Sequence, residues 1–181
     1  AIFDLIAKDT SFPNHLPLNH SDTVIKRYKM IKEGEKLPSP EKLPKEIRRK
    51  NFGNTYVRLD RTKKAVTMVP GNNAFPVHPI ENRSLTQREA ARIQTFPDNF
   101  IFKGTRREQC ILVGNAVPPL LAAKLADQIK KHLNKQLKNN RTPDLIKNEQ
   151  IKIQNDTQAK KLNFVDLFCG AGGITRGFIN A

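Results

Sequence analysis

The stretch Phe164-Val-Asp-Leu-Phe-Cys-Gly-Ala-Gly-Gly173, followed by the helix-like residues 174–179, decides the fold. Residues 163–168, with Val165 and Leu167 among them, read as a buried strand. The glycines let the chain turn sharply and let a ligand approach the main chain, and the next helix opens with free N–H groups suited to a carboxylate or phosphate. A strand, a glycine turn and a helix are the opening unit of an α/β, doubly wound sheet. Taken alone the turn is a weak signal, because a plain tight turn competes with a nucleotide-type cofactor site.

Working back along the chain, residues 134–160 shift to Lys, Asn and Gln and read as a linker. Before it, Pro118-Pro119 opens a helix whose stripe is Ala122, Leu125, Ala126, Ile129 and Leu133, the spacing of one helical face. The loop Gly114-Asn-Ala-Val-Pro-Pro119 precedes it. Alone, this loop reads as a helix start with a local Asx turn. Thr86 and Glu89 form a Thr-x-x-Glu capping box, and Pro97 stops that helix after Phe96. Residues 54–69 carry Thr55, Tyr56 and Val57, then Val66, Thr67, Met68 and Val69, around a charged turn at residues 60–64. They predict a hairpin or two strands. The proline-punctuated residues 35–50 read as an exposed connector, and residues 22–31 as a short basic helix.

The chain has 181 residues and a formal net charge of +15, from 32 Lys and Arg against 17 Asp and Glu. The positive residues cluster at 26–32, 45–50, 61–64 and 103–107, which makes a polyanion the natural partner. The two cysteines, Cys110 and Cys169, have no metal-ligand spacing, and a reduced, intracellular setting is the simplest reading. Cys110 leads into Ile111-Leu112-Val113 and reads as a core cysteine. No signal peptide and no long apolar run point to a membrane. The Ala start and the stop soon after a glycine turn read as cut ends.

Three strings carry a family resemblance. Phe164–Gly173 resembles motif I of the C5-cytosine DNA methyltransferases, Arg83-Ser-Leu-Thr-Gln-Arg-Glu-Ala-Ala-Arg-Ile-Gln-Thr-Phe-Pro97 resembles their motif IX, and Gly114-Asn-Ala-Val-Pro-Pro-Leu-Leu121 their motif X. Tyr56-Val-Arg-Leu-Asp60 is similar to strands that return from the recognition domain. The family runs from motif I to motif X, whereas here motif I follows motif X, a circular permutation bridged by the linker. The family's Pro-Cys nucleophile loop and its Glu-Asn-Val string do not occur in the sequence, so no residue is assigned to the methyl-transfer chemistry.

The resemblance implies an α/β S-adenosylmethionine-dependent methyltransferase fold with a small irregular recognition region. Residues 1–80 would form that region with its return strands, 81–133 the motif IX and X segment, 134–160 the linker and 161–181 the start of the cofactor domain. It implies S-adenosylmethionine as cofactor, lined by Phe168, Gly170, Gly172 and Gly173 and closed by Asn115 and Val117. It also implies double-stranded DNA as substrate, a cytoplasmic, prokaryotic setting, and a second chain or downstream segment that carries the nucleophile. Arg83, Arg88 and Arg92 would be structural, one of them ordering the recognition region. On charge and turn position, Arg58, Arg61, Lys63, Lys64 and His78 are candidate phosphate contacts. The competing reading is an inactive DNA-binding or regulatory module with the same ancestry.

Overall fold

The computed structural model describes residues 11–49, 54–71, 75–138, 170, 172–174 and 179. Four α-helices organise them: α1 (Asp22–Lys29), α2 (Gln87–Ile93), α3 (Arg106–Asn115) and α4 (Pro119–Lys138). The basic helix expected at 22–31 is α1. The strand and Phe168 of the motif I string, and most of the linker, lie outside the described residues.

The expected hairpin over 54–69 does not form. Val57 bridges to Lys36, Arg58 to Val77, and Val77 to Ser84. Leu37 N–H donates to the Tyr56 carbonyl at 2.9 Å, Val77 N–H to Val57 at 2.9 Å and His78 N–H to Arg83 at 2.8 Å. Four short extended segments thus lie side by side as isolated bridges, with Val66 left on the surface and only Met68 of the second predicted strand turned into the core. Residues 35–50 are no mere connector either. Leu37, Leu43 and Ile47 are buried with Tyr28, Ile31, Tyr56 and Val77 in one apolar cluster.

A second cluster gathers Leu59, Met68, Phe75, Leu85, Ala90, Ala91, Phe96, Phe102, Cys110 and Val113. The rings of Phe96, Phe100 and Phe102 meet there at 4.9–5.1 Å in tilted and edge arrangements, geometries that aromatic quadrupoles favour. Burial pushes the Cys110 thiol above its ordinary pKa, the behaviour of a core cysteine.

Helix α3 was not foreseen. Thr105 and Glu108 form a second capping box: Thr105 N–H donates to Glu108 Oε2 at 2.7 Å, and Glu108 N–H to Thr105 Oγ1. In α4 the small residues Ala122 and Ala126 are buried, while Leu120, Leu121, Leu125 and Ile129 are 49–65 % exposed. The stripe read from the sequence is therefore split between core and surface. The span Arg106–Lys135 is apolar enough by composition to cross a membrane. It is interrupted by the non-helical residues 116–118, and Cys110, Val113, Ala122 and Ala126 pack inside, so the span is two helices each with one buried face, not one continuous apolar helix.

Candidate functional site

The motif IX string builds the hub of the molecule. At the start of α2, Thr86 Oγ1 accepts from Glu89 N–H, and Glu89 Oε2 accepts from Thr86 N–H at 2.8 Å. The fully buried Glu89 carboxylate also receives both ends of the Arg83 guanidinium, at 2.8 and 2.7 Å. Burial alone would raise the Glu89 pKa, but the Arg83 hydrogen bonds and charge overcome it and hold the carboxyl below its usual range. His78 lies 3.8 Å from Glu89. Its Nδ1 accepts from the N–H groups of Ile80 and Glu81, so the ring proton resides on Nε2, facing the carboxylate.

Arg88 ties α2 to the segments at residues 13–14 and 97–100. Its guanidinium donates to the carbonyls of Pro13, Pro97 and Phe100 at 2.9, 3.0 and 2.6 Å. Arg88 N–H donates to the Asn14 carbonyl, and the Asn14 side chain closes a reciprocal pair with the Phe102 backbone at 2.8 and 2.9 Å. Asn14 sits at φ 64°, a left-handed conformation that Asn tolerates. Arg92 pairs with Asp98 at 2.7 Å.

The far end of α2 joins the motif segments. Thr95, at φ 62°, offers Oγ1 to the Leu120 N–H at the start of α4 at 3.1 Å, and Gln94 Nε2 donates to the Val113 carbonyl at 3.3 Å. Gly173 is buried against Val117: a Cβ there would overlap the Val117 carbonyl and come 3.3 Å from the Phe96 ring. Gly170 and Gly172 have positive φ and open space where a Cβ would stand, a backbone conformation that glycine adopts without strain. The glycine turn and residue 117 therefore meet. Asn115 is exposed on the same loop, and Phe168 lies outside the described residues.

Helix α3 is held to the preceding region by an equally close approach. A Cβ at Gly114 would lie 2.5 Å from both Cα and N of Pro70, and neither backbone atom can move cheaply. Gly114→Ala is expected to destabilise the chain by about 1–3 kcal/mol, the cost of overpacking. Urea denaturation measures it, and an unchanged midpoint would mean that α3 and the Val69–Pro70 backbone are not locked together.

The five basic candidates divide. Arg58 and His78 are buried, and the structure corrects their assignment as phosphate contacts. Arg58 spends its guanidinium on Tyr28, Ile31, His78 and Glu81 carbonyls and on Asn82 Oδ1, while His78 caps the turn at residues 80–81. Arg61, Lys63 and Lys64 are at the surface. Arg61 pairs with Glu33 at 2.9 Å and Lys63 with Asp60 at 3.0 Å. Hydrogen bonds from the Thr62 hydroxyl, the Thr62 N–H and Lys63 pull Asp60 down to about 2. Asn14, Gln87 and Arg106 form long-range contacts that the sequence does not mark, since nothing local distinguishes a residue whose partners lie 19–90 positions away.

A family model for C-5 cytosine-specific DNA methylases matches residues 2–131. The type II methyltransferase M.AquIB of Picosynechococcus is 34% identical over 137 residues, covering 70% of this chain and 93% of that protein. M1.HphI of Haemophilus parahaemolyticus is 38% identical over 121 residues, 65% of this chain and 31% of its own length. M.Bpa9945I of Bacillus paralicheniformis is 36% identical over 149 residues, 73% and 33% respectively. The chain belongs to the C-5 cytosine-specific DNA methylase family, whose methyl donor is S-adenosylmethionine and whose substrate is DNA. It spans nearly the whole of the first relative and about a third of the other two.

Proposed function

We propose that this chain is the target-recognition and cofactor-closing portion of a circularly permuted or split DNA (cytosine-5-)-methyltransferase of the restriction-modification type. The observation that carries this is the meeting of the glycine turn with the motif IX and X segments at Phe96, Val117 and Gly173, in a sequence that has neither a Pro-Cys loop nor a Glu-Asn-Val string. That M.AquIB is itself short enough to be 93% covered supports the split form. The exposed apolar face of α4, Leu120, Leu121, Leu125 and Ile129, supplies a surface on which the rest of a doubly wound α/β sheet could pack.

In this reading residues 1–80 approach the DNA, 81–133 hold that region against the cofactor side, 134–160 link and 161–181 open the cofactor domain. Arg61, Lys63 and Lys64 touch phosphates, steering and positioning the duplex without reading its sequence. Gly170, Gly172 and Gly173 let the cofactor approach the backbone, with Phe168 beside them and Asn115 and Val117 closing the opposite side. S-adenosylmethionine, when bound there, supplies the methyl group. The arginines of motif IX bear on none of the reacting atoms; Arg83 and Arg88 keep the recognition region in register with the pocket.

Transfer of tritiated methyl groups to mixed-sequence duplex DNA tests the proposal. The chain alone is expected to transfer nothing, and addition of a chain carrying the Pro-Cys loop and Glu-Asn-Val string is expected to restore transfer. Turnover by the chain alone overturns the reading. DNA binding without transfer, whatever is added, favours an inactive DNA-binding or regulatory module, which the missing nucleophile also fits.

A further inference from the structure

We propose that Arg106 and Gln87 form a pocket that takes one backbone phosphate of duplex DNA, a contact separate from the cofactor side. This rests on the reading that the chain binds DNA. The pocket is a cleft of about 380 Å³ between the loop at residues 12–16 and the starts of α2 and α3, with Gln87, Arg106 and Gln109 among its walls.

Several of its donors lack acceptors among the described residues. Arg106 Nη1 donates to the Leu16 carbonyl at 2.6 Å and to Gln87 Oε1 at 3.1 Å. Its Nε is buried with no hydrogen-bond partner, and among the described residues Nη2 has none either. Because Nη1 can only donate, it fixes the Gln87 oxygen toward itself and leaves the Gln87 NH₂ on the other side. Gln87 is 2 % exposed, and its Nε2 has no partner among the described residues. In this cleft Arg106 Nε is a buried donor without an acceptor, and Nη2 and the Gln87 NH₂ are unpaired among the described residues, an arrangement that suits an anion.

Among the described residues the Arg106 charge pairs with no carboxylate. Arg83, Arg92 and Arg61 each face a carboxylate, and Arg58 and Arg88 are engaged by carbonyls and an Asn oxygen. Burial lowers the Arg106 pKa, and the Cys110 thiol opposes this weakly. The nearest acidic residue along the chain, Glu108, is committed to the Thr105 N–H and hydroxyl. An uncompensated, half-buried guanidinium is costly, and an external anion offsets that cost. Arg106 is the first residue of the ten-residue α3, so the helix dipole adds to the positive potential. Lys103 and Arg107 are exposed beside it. With a net charge of +15, a phosphodiester fits better than a partner protein's carboxylate.

Gln87→Glu tests this with little disturbance, since it keeps the oxygen that Arg106 bonds and supplies an internal counterion. The variant is expected to melt at or above the wild-type temperature. In a fluorescence-anisotropy salt titration on two unrelated duplexes, it is expected to bind several-fold more weakly at low salt, with a log–log slope shallower by about 0.9, the value of one phosphate. Arg106→Gln should do the same, and Lys131→Gln, on α4, should leave the slope alone. Unchanged slopes for Gln87→Glu and Arg106→Gln, or an equal change for Lys131→Gln, overturn the pocket while leaving DNA binding intact. Loss of partner-chain capture with unchanged DNA binding would assign the pocket to a carboxylate and equally overturn it. Inorganic pyrophosphate, followed by the Arg106 Nε–H resonance, provides a reading that needs no DNA. The resonance should shift in the wild type and stay fixed in Gln87→Glu. If no duplex binds, the proposed function fails, and this titration alone decides the pocket.

Discussion

Replacing Glu89 with Ala is expected to cost about 3–5 kcal/mol, the penalty for removing one partner of a buried ion pair. Since domains of this size have only about 5–15 kcal/mol in hand, the variant should be largely unfolded on modest warming. Glu89 is 0 % exposed and Arg83 only 7 %, so the substitution strands a guanidinium where water cannot replace the carboxylate. It also removes one arm of the α2 capping box, leaving the Thr86 N–H without Glu89 Oε2. Glu89→Gln keeps shape and one acceptor and should cost less than Ala, though it still costs, because a neutral amide cannot accept from both guanidinium nitrogens.

The pH dependence has a definite sign. The Glu89 pKa is lower in the folded chain than its ordinary 4.5. Its stabilisation is therefore complete above that value and is lost as pH falls through the folded pKa. Burial holds the His78 pKa below its ordinary 6.5, so folding also weakens as pH drops below 6.5 toward the folded value. Urea midpoints should fall from pH 7 to pH 4 in the wild type, and Glu89→Ala should lose the acidic part of that decline. A variant as stable as the wild type at pH 7 would mean that the Arg83–Glu89 pair does not hold the fold.

What was legible in the sequence follows from range. The α2 capping box and the start of α4 are signals within a few residues of their effect, and each is where the sequence puts it, whereas α2 ends at Ile93, short of the stop expected after Phe96, because Thr95 turns the chain at φ 62°. Thr105 and Glu108 carry the same Thr-x-x-Glu signal as Thr86 and Glu89, but in a run whose positive charge dominates the pattern. The hairpin over 54–69 failed because strand partners are non-local. Val57 found Lys36 and Val77, a choice that no propensity within the segment encodes. In the candidate site the glycines and the Gly114-Asn-Ala-Val-Pro-Pro119 loop were visible as strings. The joint at Thr95, Phe96, Leu120 and Gly173 is a matter of packing, and one-dimensional spacing does not contain it. Arginine was the hardest residue to read, since Arg58, Arg61, Arg83, Arg88 and Arg106 look alike in sequence and have five different surroundings.

Arg58 makes that point testable. Changing it to Ala is expected to destabilise the chain by about 3–5 kcal/mol, as for one half of a buried charged network. Its Nε and Nη2 donate to the Ile31 and Tyr28 carbonyls at 2.7 and 2.6 Å, around the end of α1. Its Nη1 donates to the His78 and Glu81 carbonyls at 2.7 and 2.9 Å, and Nη2 also to Asn82 Oδ1 at 2.8 Å. One planar fork thus ties the exit of α1 to the turn that leads into Arg83 and Glu89, and truncation leaves buried carbonyls with no donor. Arg58→Lys keeps the charge but replaces a rigid fork by a single ammonium that cannot span both sides, so it should lose most of the same stability. A phosphate contact would behave in the opposite way: Lys would substitute well, stability would hold, and the salt slope of DNA binding would change on Arg58→Ala. Thermal melts and salt titrations of both variants, the latter at a temperature where each is folded, separate the two. Stable variants with a shallower slope would return Arg58 to the DNA interface. Unstable variants whose folded fraction keeps the wild-type slope would identify Arg58 as the cross-link between the end of α1 and the turn at residues 78–82.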